Sequence, residues 1–202
     1  MSGAPSQSSF GKGEVSAVSG AAVRVGVYGA LGRMGQMVVR ALLSPSEPME
    51  MSAALVAALV PTNNAQLGRD IGPLVGLGAV GVSASCDIAS AVRICQVIVD
   101  FSTPAATAML APAAAQAGVA LVIGTTGLHQ PALAAIAAAS ERVPIVHSAN
   151  MSPGINVLLG LLRRAAAVLP EYDAEIVEVH HRRKRDAPSG TALMLGDAAA
   201  QG

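Results

Sequence analysis

Tryptophan is absent from the 202 residues, and Phe and Tyr occur only twice each. So few aromatics exclude a base-stacking platform for single-stranded nucleic acid. Charge is also scarce, at 13% of residues, and thirteen Lys and Arg balance thirteen Asp and Glu. A net charge of zero gives no global attraction to nucleic acid or to acidic membranes. The two cysteines, Cys86 and Cys95, have neither metal-ligand spacing nor the numbers for a disulfide framework. No metal site is expected, and a reduced, cytoplasmic compartment fits. No window of eighteen apolar residues runs free of charge and of Gly or Pro, so no spanning helix is expected. The start of the chain is rich in Ser, Gly and Ala and lacks the basic-then-apolar order of a secretory leader. Residues 1–21 are read as a flexible tail.

Hydrophobic residues make up 52% of the chain, and forty of them are alanine. Ala22 to Tyr28 reads as a strand, a glycine turn follows, and Gln36 to Leu43 reads as a helix that Ser44-Pro-Ser-Glu-Pro48 ends. Met51 to Val60, Gln96 to Asp100, Val119 to Ile123 and Val143 to His147 are further apolar strand candidates. Between them lie a glycine-rich loop with short strands over 68–81 and helical stretches over 86–92, 105–117 and 133–140; a longer helix runs over 155–169. Alternating strands and helices with wholly apolar strands predict an α/β fold, a doubly wound parallel sheet covered on both faces. Loops after successive strands, at 29–35, 101–104, 124–127 and 148–154, then gather on one edge, where ligands bind.

Beyond Pro170 the pattern changes. Glu175-Ile-Val-Glu-Val-His180 alternates as a half-buried strand would, and a helix starts near Thr191. A first domain over 22–153 and a second, partial α+β domain over 154–202 are expected. Fewer than fifty residues are too few for a comfortable core of their own, and the chain is read as truncated.

Gly29, Gly32 and Gly35 lie between the first strand and helix, as in dinucleotide sites. Small residues let the backbone approach a pyrophosphate, and the helix start offers N–H groups and positive potential. An NAD site usually carries an acidic residue at the end of the second strand for the ribose hydroxyls. Here that region reads Leu59-Val-Pro-Thr-Asn63, with no carboxylate before Asp70. With Arg33 the nearest cation, this leans towards NADPH, although Thr62 or Asn63 could bind a ribose hydroxyl.

The densest chemistry lies in His180-His-Arg-Arg-Lys-Arg-Asp-Ala-Pro-Ser-Gly-Thr191. It holds two of the four histidines and one of only two lysines in a chain with eleven arginines. A lysine there suits a compact donor that can lose its proton. On an extended strand His180 and His181 point to opposite faces. His180 and Lys184 are about 13 Å apart if extended and about 6 Å apart if the chain turns helically, so a shared site needs a turn. Ser189 or Thr191 can cap the next helix, whose start is a further anion site. Cations beside a helix start suit a small acid with more than one carboxylate, with histidine moving protons near neutral pH. A solvated surface loop remains an alternative; a nucleic-acid patch fits poorly with neutral charge and few aromatics. His129 and His147 are isolated and are given no role.

Together these segments resemble the 4-hydroxy-tetrahydrodipicolinate (dihydrodipicolinate) reductase family. The resemblance rests on Val25-Gly-Val-Tyr-Gly-Ala-Leu-Gly-Arg-Met-Gly35, Val99-Asp-Phe-Ser-Thr-Pro104, Gly124-Thr-Thr-Gly127, Ser148-Ala-Asn-Met-Ser-Pro-Gly-Ile-Asn156 and Glu178 to Thr191, in the family's order. It implies a Rossmann-like nucleotide domain, a substrate and tetramerisation domain, and an NADH- or NADPH-dependent reduction of a cyclic dicarboxylate in lysine and diaminopimelate synthesis. By the resemblance His180 is the proton donor or acceptor and Lys184 a proton donor. His181, Ser189, Gly190 and Thr191 match substrate positions. Gly29, Ala30, Leu31, Gly32, Arg33, Met34, Gly124, Thr125, Thr126, Ser148, Ala149, Asn150 and Met151 match cofactor contacts. Two departures stand out. The family's acidic residue after the second strand falls at Val60, with Pro61 in the neighbouring basic position, and only eleven residues follow Thr191. An NAD(P)H-binding module of the same family without turnover is the alternative reading.

Overall fold

The computed structural model describes residues 22–44, 52–182 and 187–202. Strand β1 (Val23–Tyr28) leads through the glycine turn into helix α1 (Arg33–Leu43), and β2 (Ala53–Leu59) follows. A four-residue helix α2 (Ile71–Leu74), a two-residue β3 (Ala84–Ser85) and α3 (Ile88–Ile94) complete the first half. The second half runs β4 (Val97–Asp100), α4 (Pro104–Ala117), β5 (Ala120–Ile123), α5 (Gln130–Ser140), β6 (Ile145–His147), α6 (Pro153–Val168) and α7 (Gly190–Ala200). The sheet order is β3-β2-β1-β4-β5-β6 with every neighbouring pair parallel. The chain winds one way from β1 to β3 and the other way from β4 to β6. This is the expected Rossmann-like α/β fold, and its switch point lies between β1 and β4.

Strand alternation sends successive side chains into two cores. Val27, Ala58 and Val60 join Val39 of α1 and Ile71 of α2 on one face. Tyr28, Leu59, Ile98, Leu121 and Ile123 meet Leu110, Ala111 and Ala114 of α4 on the other. Each fully buried Leu or Ile is worth roughly 1.5–3 kcal/mol. The many alanines are spent on close packing of α4 against α5, where Ala111, Ala114, Ala132 and Ala139 are buried. Thr103 caps α4, with Pro104 in its first turn, and Gly118 ends it at φ +72°, a left-handed conformation that glycine adopts without strain.

The structure departs from the sequence reading in three places. The glycine-rich stretch holds α2, because the Asp70 side chain accepts the Gly72 N–H and starts a helical turn too short for periodicity to reveal. The second face of the sheet is only half covered: Val97, Val99, Ala120 and Val122 remain partly exposed, and α6 buries no residue. Residues 175–180 form no strand. Their alternation is real, but a strand needs a ladder partner, and among the described residues none lies beside them. Val177 and Val179 are 86% and 90% exposed, and Ile176, Val177, Glu178 and His180 line a cleft beside α7. No helix among the described residues is long and apolar enough to cross a membrane. The tail before Ala22, the Pro45–Pro48 segment and residues 183–186, including Lys184, lie outside the described residues.

Candidate functional site

The strand ends build the site. Gly29 leaves β1 at φ +76°, and a Cβ there would lie 2.4 Å from the Phe101 carbonyl oxygen. Gly35 rests against the same turn, where a Cβ would be 2.0 Å from the Gly29 oxygen. Only glycine permits this path, which brings β1, β4 and the start of α1 together. Helix α1 begins at Gly32 with no side-chain cap, so its first-turn N–H groups stay available to an anion.

Asp100, wholly buried at the end of β4, locks the next two loops. Its carboxylate accepts from Ser102 N (2.9 Å), Thr107 Oγ1 (2.6 Å) and Thr125 Oγ1 (3.2 Å), and also from Ser102 Oγ. Ser102 N in turn donates to Thr125 Oγ1 at 3.0 Å. The Phe101 ring lies so close to Gly124 that a Cβ there would be 2.1 Å from it. The sequence reading quoted this segment but gave Asp100, Phe101 and Ser102 no role. The available signal was an acidic residue closing a buried strand next to the switch point.

Three adjoining clefts open along this edge. The first, about 700 Å³, is lined by Arg33, Met34, Phe101, Ser102, Gly124, Thr125, Thr126, Ser148, Ala149, Asn150, Met151 and Ser152. The second, about 630 Å³, lies on the β2 side, where Gly29, Leu31, Gly32, Pro61, Thr62, Asn64 and Met109 contribute. The third, about 550 Å³, shares Arg33, Thr126, Ala149 and Asn150 with the first and adds Glu178, His180, Ser189, Gly190 and Thr191.

Of the residues expected to contact a cofactor, all but Ala30 line the first two clefts. Ala30 is wholly buried and donates its N–H to Leu59 O. Arg33, the cation on which a lean towards NADPH was argued, lines the first and third clefts and not the one beside β2. Asp70 is tied to the N–H groups of Gly72, Val80 and Gly81; desolvation, the largest single effect, raises its carboxyl, but the three hydrogen bonds together outweigh it and hold the group below the usual range. Asp87, not foreseen, is the carboxylate that does line the β2-side cleft, and it caps α3 through Ser90 N.

In the third cleft His180 Nε2 lies 2.8 Å from Glu178 Oε2, and Glu178 Oε1 accepts Ser189 N at 2.8 Å. The hydrogen bonds from His180 and Ser189 pull the Glu178 carboxyl down to about 2. Ser189 caps α7, its Oγ accepting from Ala192 N at 3.0 Å. Thr191 instead receives Asn150 Nδ2 at 2.9 Å, which ties α7 to the loop after β6. His181 is exposed and is not among the residues lining this cleft. Among the described residues, no group of three His, Cys, Asp or Glu could hold a metal ion.

Residues 23–151 match the family described as "Dihydrodipicolinate reductase, N-terminus", and residues 154–202 the one described as "Dihydrodipicolinate reductase, C-terminus". The chain belongs to the dihydrodipicolinate reductase family. It is 47% identical over 179 residues to a 4-hydroxy-tetrahydrodipicolinate reductase of Anaeromyxobacter sp. (strain Fw109-5), covering 88% of this chain and 64% of that one. It is 49% identical over 181 residues to the enzyme of the same name from Methylocella silvestris, covering 89% and 65%. The chain thus spans slightly less than two thirds of these relatives. Among solved structures, the dipicolinate-bound dihydrodipicolinate reductase from Paenisporosarcina sp. TG-14 is similar, with a TM-score of 0.60 and 27% identity over 89% of this chain and 66% of that one. A nucleotide-binding domain of the Rossmann type and a pyridine nucleotide cofactor follow from family membership and fold together.

Proposed function

We propose that this chain carries the chemistry of its family, the reduction of 4-hydroxy-tetrahydrodipicolinate to tetrahydrodipicolinate in diaminopimelate and lysine synthesis. Residues 22–153 bind the nucleotide, and residues 154–202 supply part of the substrate site. The observation that carries this reading is the adjacency of the clefts. The one bearing His180 and the start of α7 opens on the one bounded by Thr126 and Asn150, with Arg33 shared. The cradle fits a dinucleotide: the backbone at Gly29 and Gly35 leaves no room for a Cβ, and the uncapped start of α1 suits a pyrophosphate. Bound there, NADPH or NADH supplies a hydride to C4 of the substrate.

The chain's own residues do the rest. Arg33 and the first turn of α7, at Gly190 and Thr191, attract the carboxylates of a small diacid. The substrate's 4-hydroxyl leaves as water, so one proton must be delivered with the hydride; His180 and Lys184 supply and relay it. The dipicolinate held by the structural neighbour is a diacid of the same kind. A cytoplasmic homotetramer, acting on this small molecule and not on nucleic acid or membranes, completes the proposal.

The expected result of His180→Gln is a fall in turnover of roughly 10²-fold with nucleotide affinity nearly unchanged. Near-normal turnover would remove His180 from the reaction. Among the described residues, the β2-side cleft offers a 2′-phosphate no lining cation, and its one carboxylate, Asp87, is committed to a helix cap. NADPH and NADH are therefore expected to bind within about tenfold of each other, 1.4 kcal/mol, in a fluorescence titration. A larger gap would point to a charged contact at the ribose.

A second reading is nucleotide binding without turnover. It is favoured by the near-complete exposure of Val177 and Val179 beside the His180 cleft. Binding of nucleotide with no reduction of substrate generated in situ would select it.

A further inference from the structure

An imidazole that handles a proton must present the correct nitrogen, and a neutral histidine carries hydrogen on only one of its two. His180 lines the third cleft, yet its Nε2 faces the Glu178 carboxylate at 2.8 Å. The other oxygen of that carboxylate accepts the backbone N–H of Ser189 at 2.8 Å. Glu178 therefore joins the extended segment to the cap of α7, the helix whose first residues, Gly190 and Thr191, share the cleft. Arg33, from α1, is the other charged residue lining this cleft among the described residues.

We propose that Glu178 is the positioning residue for His180: it takes the Nε2 proton in a hydrogen bond and leaves Nδ1 as the atom that exchanges a proton with a ligand in the cleft. The logic is that of any carboxylate that orients a catalytic imidazole. It rests on the role given to His180 above. One consequence is specific. A glutamine at 178 must still offer its oxygen to Ser189 N–H, because a backbone donor has no other use for the side chain. Its NH₂ group then faces His180, and Nε2 must become the acceptor. The fold is kept and the tautomer is reversed.

The test is imidazole ¹⁵N–¹³C correlation spectroscopy on the 202-residue chain, above neutral pH, for wild type and Glu178→Gln, alongside steady-state kinetics. The expected result is hydrogen on Nε2 in the wild type and on Nδ1 in Glu178→Gln. Turnover falls about tenfold or more, and KM for the nucleotide stays within about twofold. The proposal is overturned if the wild type carries its hydrogen on Nδ1, a measurement that needs no variant to fold. It is also overturned if both proteins share one tautomer, or if the tautomer reverses while turnover does not change. If the wild type shows no turnover at all, the reading of His180 as a catalyst falls. The two spectra alone then decide whether Glu178 sets the ring.

Discussion

Glu178 is the residue with the clearest energetic signature. Its carboxyl is held at about 2, below the ordinary 4.5, chiefly by His180 and then by Ser189. A depressed carboxyl stabilises the fold fully above its unfolded value and loses that contribution as pH falls through its folded value. The stability gap between wild type and Glu178→Ala is therefore expected to be constant above about pH 5 and to close between roughly pH 4.5 and 2. Chemical denaturation at stepped pH checks this, and a gap that persists at pH 2 would show that packing, not the charged hydrogen bonds, carries the difference. Sequence inspection did not reach this contact. Glu178 and His180 were both visible in the alternating segment, but the second anchor, Ser189 N–H, lies eleven residues on. Composition says nothing about which backbone donor a carboxylate will meet across a loop.

At the scale of elements, the ends of β4 and β5 matter most. Asp100 holds both loops, and truncation would leave Thr107 Oγ1 without its acceptor, Ser102 N–H with Thr125 Oγ1 alone and Thr125 Oγ1 with the Asp100 backbone oxygen alone. Asp100→Ala is expected to cost about 3 kcal/mol in unfolding free energy and to weaken nucleotide binding as Phe101 and Thr125 shift. Denaturant midpoints and a nucleotide titration on the same variant check it; unchanged stability would mean the network is not the lock described. The strands themselves were legible because apolar runs such as Gln96 to Asp100 and Val119 to Ile123 need no partner to be recognised. Two elements were not. Helix α2 depends on one side chain, Asp70, which caps it through Gly72 N–H and also holds Val80 N–H and Gly81 N–H, contacts below the reach of any periodicity. Residues 175–180 have the alternation of a strand, but alternation reports only which side chains share a face. Pairing is a long-range property, and here no ladder forms among the described residues.

For the whole molecule, the order β3-β2-β1-β4-β5-β6 puts the glycine turn, the Asp100 lock and the loop after β6 on one edge. Parallel strands followed by loops dictate this, and it was readable from the spacing of the loops alone. What spacing could not show was that α7 closes back on the same edge through Thr191 and Asn150, 41 residues apart. That contact and the Glu178–Ser189 hydrogen bond hold the His180 cleft beside the one lined by Thr125 and Ser148. The direct test is titration of ¹⁵N-labelled protein with NADPH, followed by backbone and histidine side-chain spectra. Saturable binding is expected, with the largest shifts at Gly29 to Met34, Gly124 to Thr126, Ser148 to Met151 and the imidazole of His180. Absence of saturable binding, or shifts centred instead on Arg24 and Gln96 at the opposite ends of the strands, would contradict it.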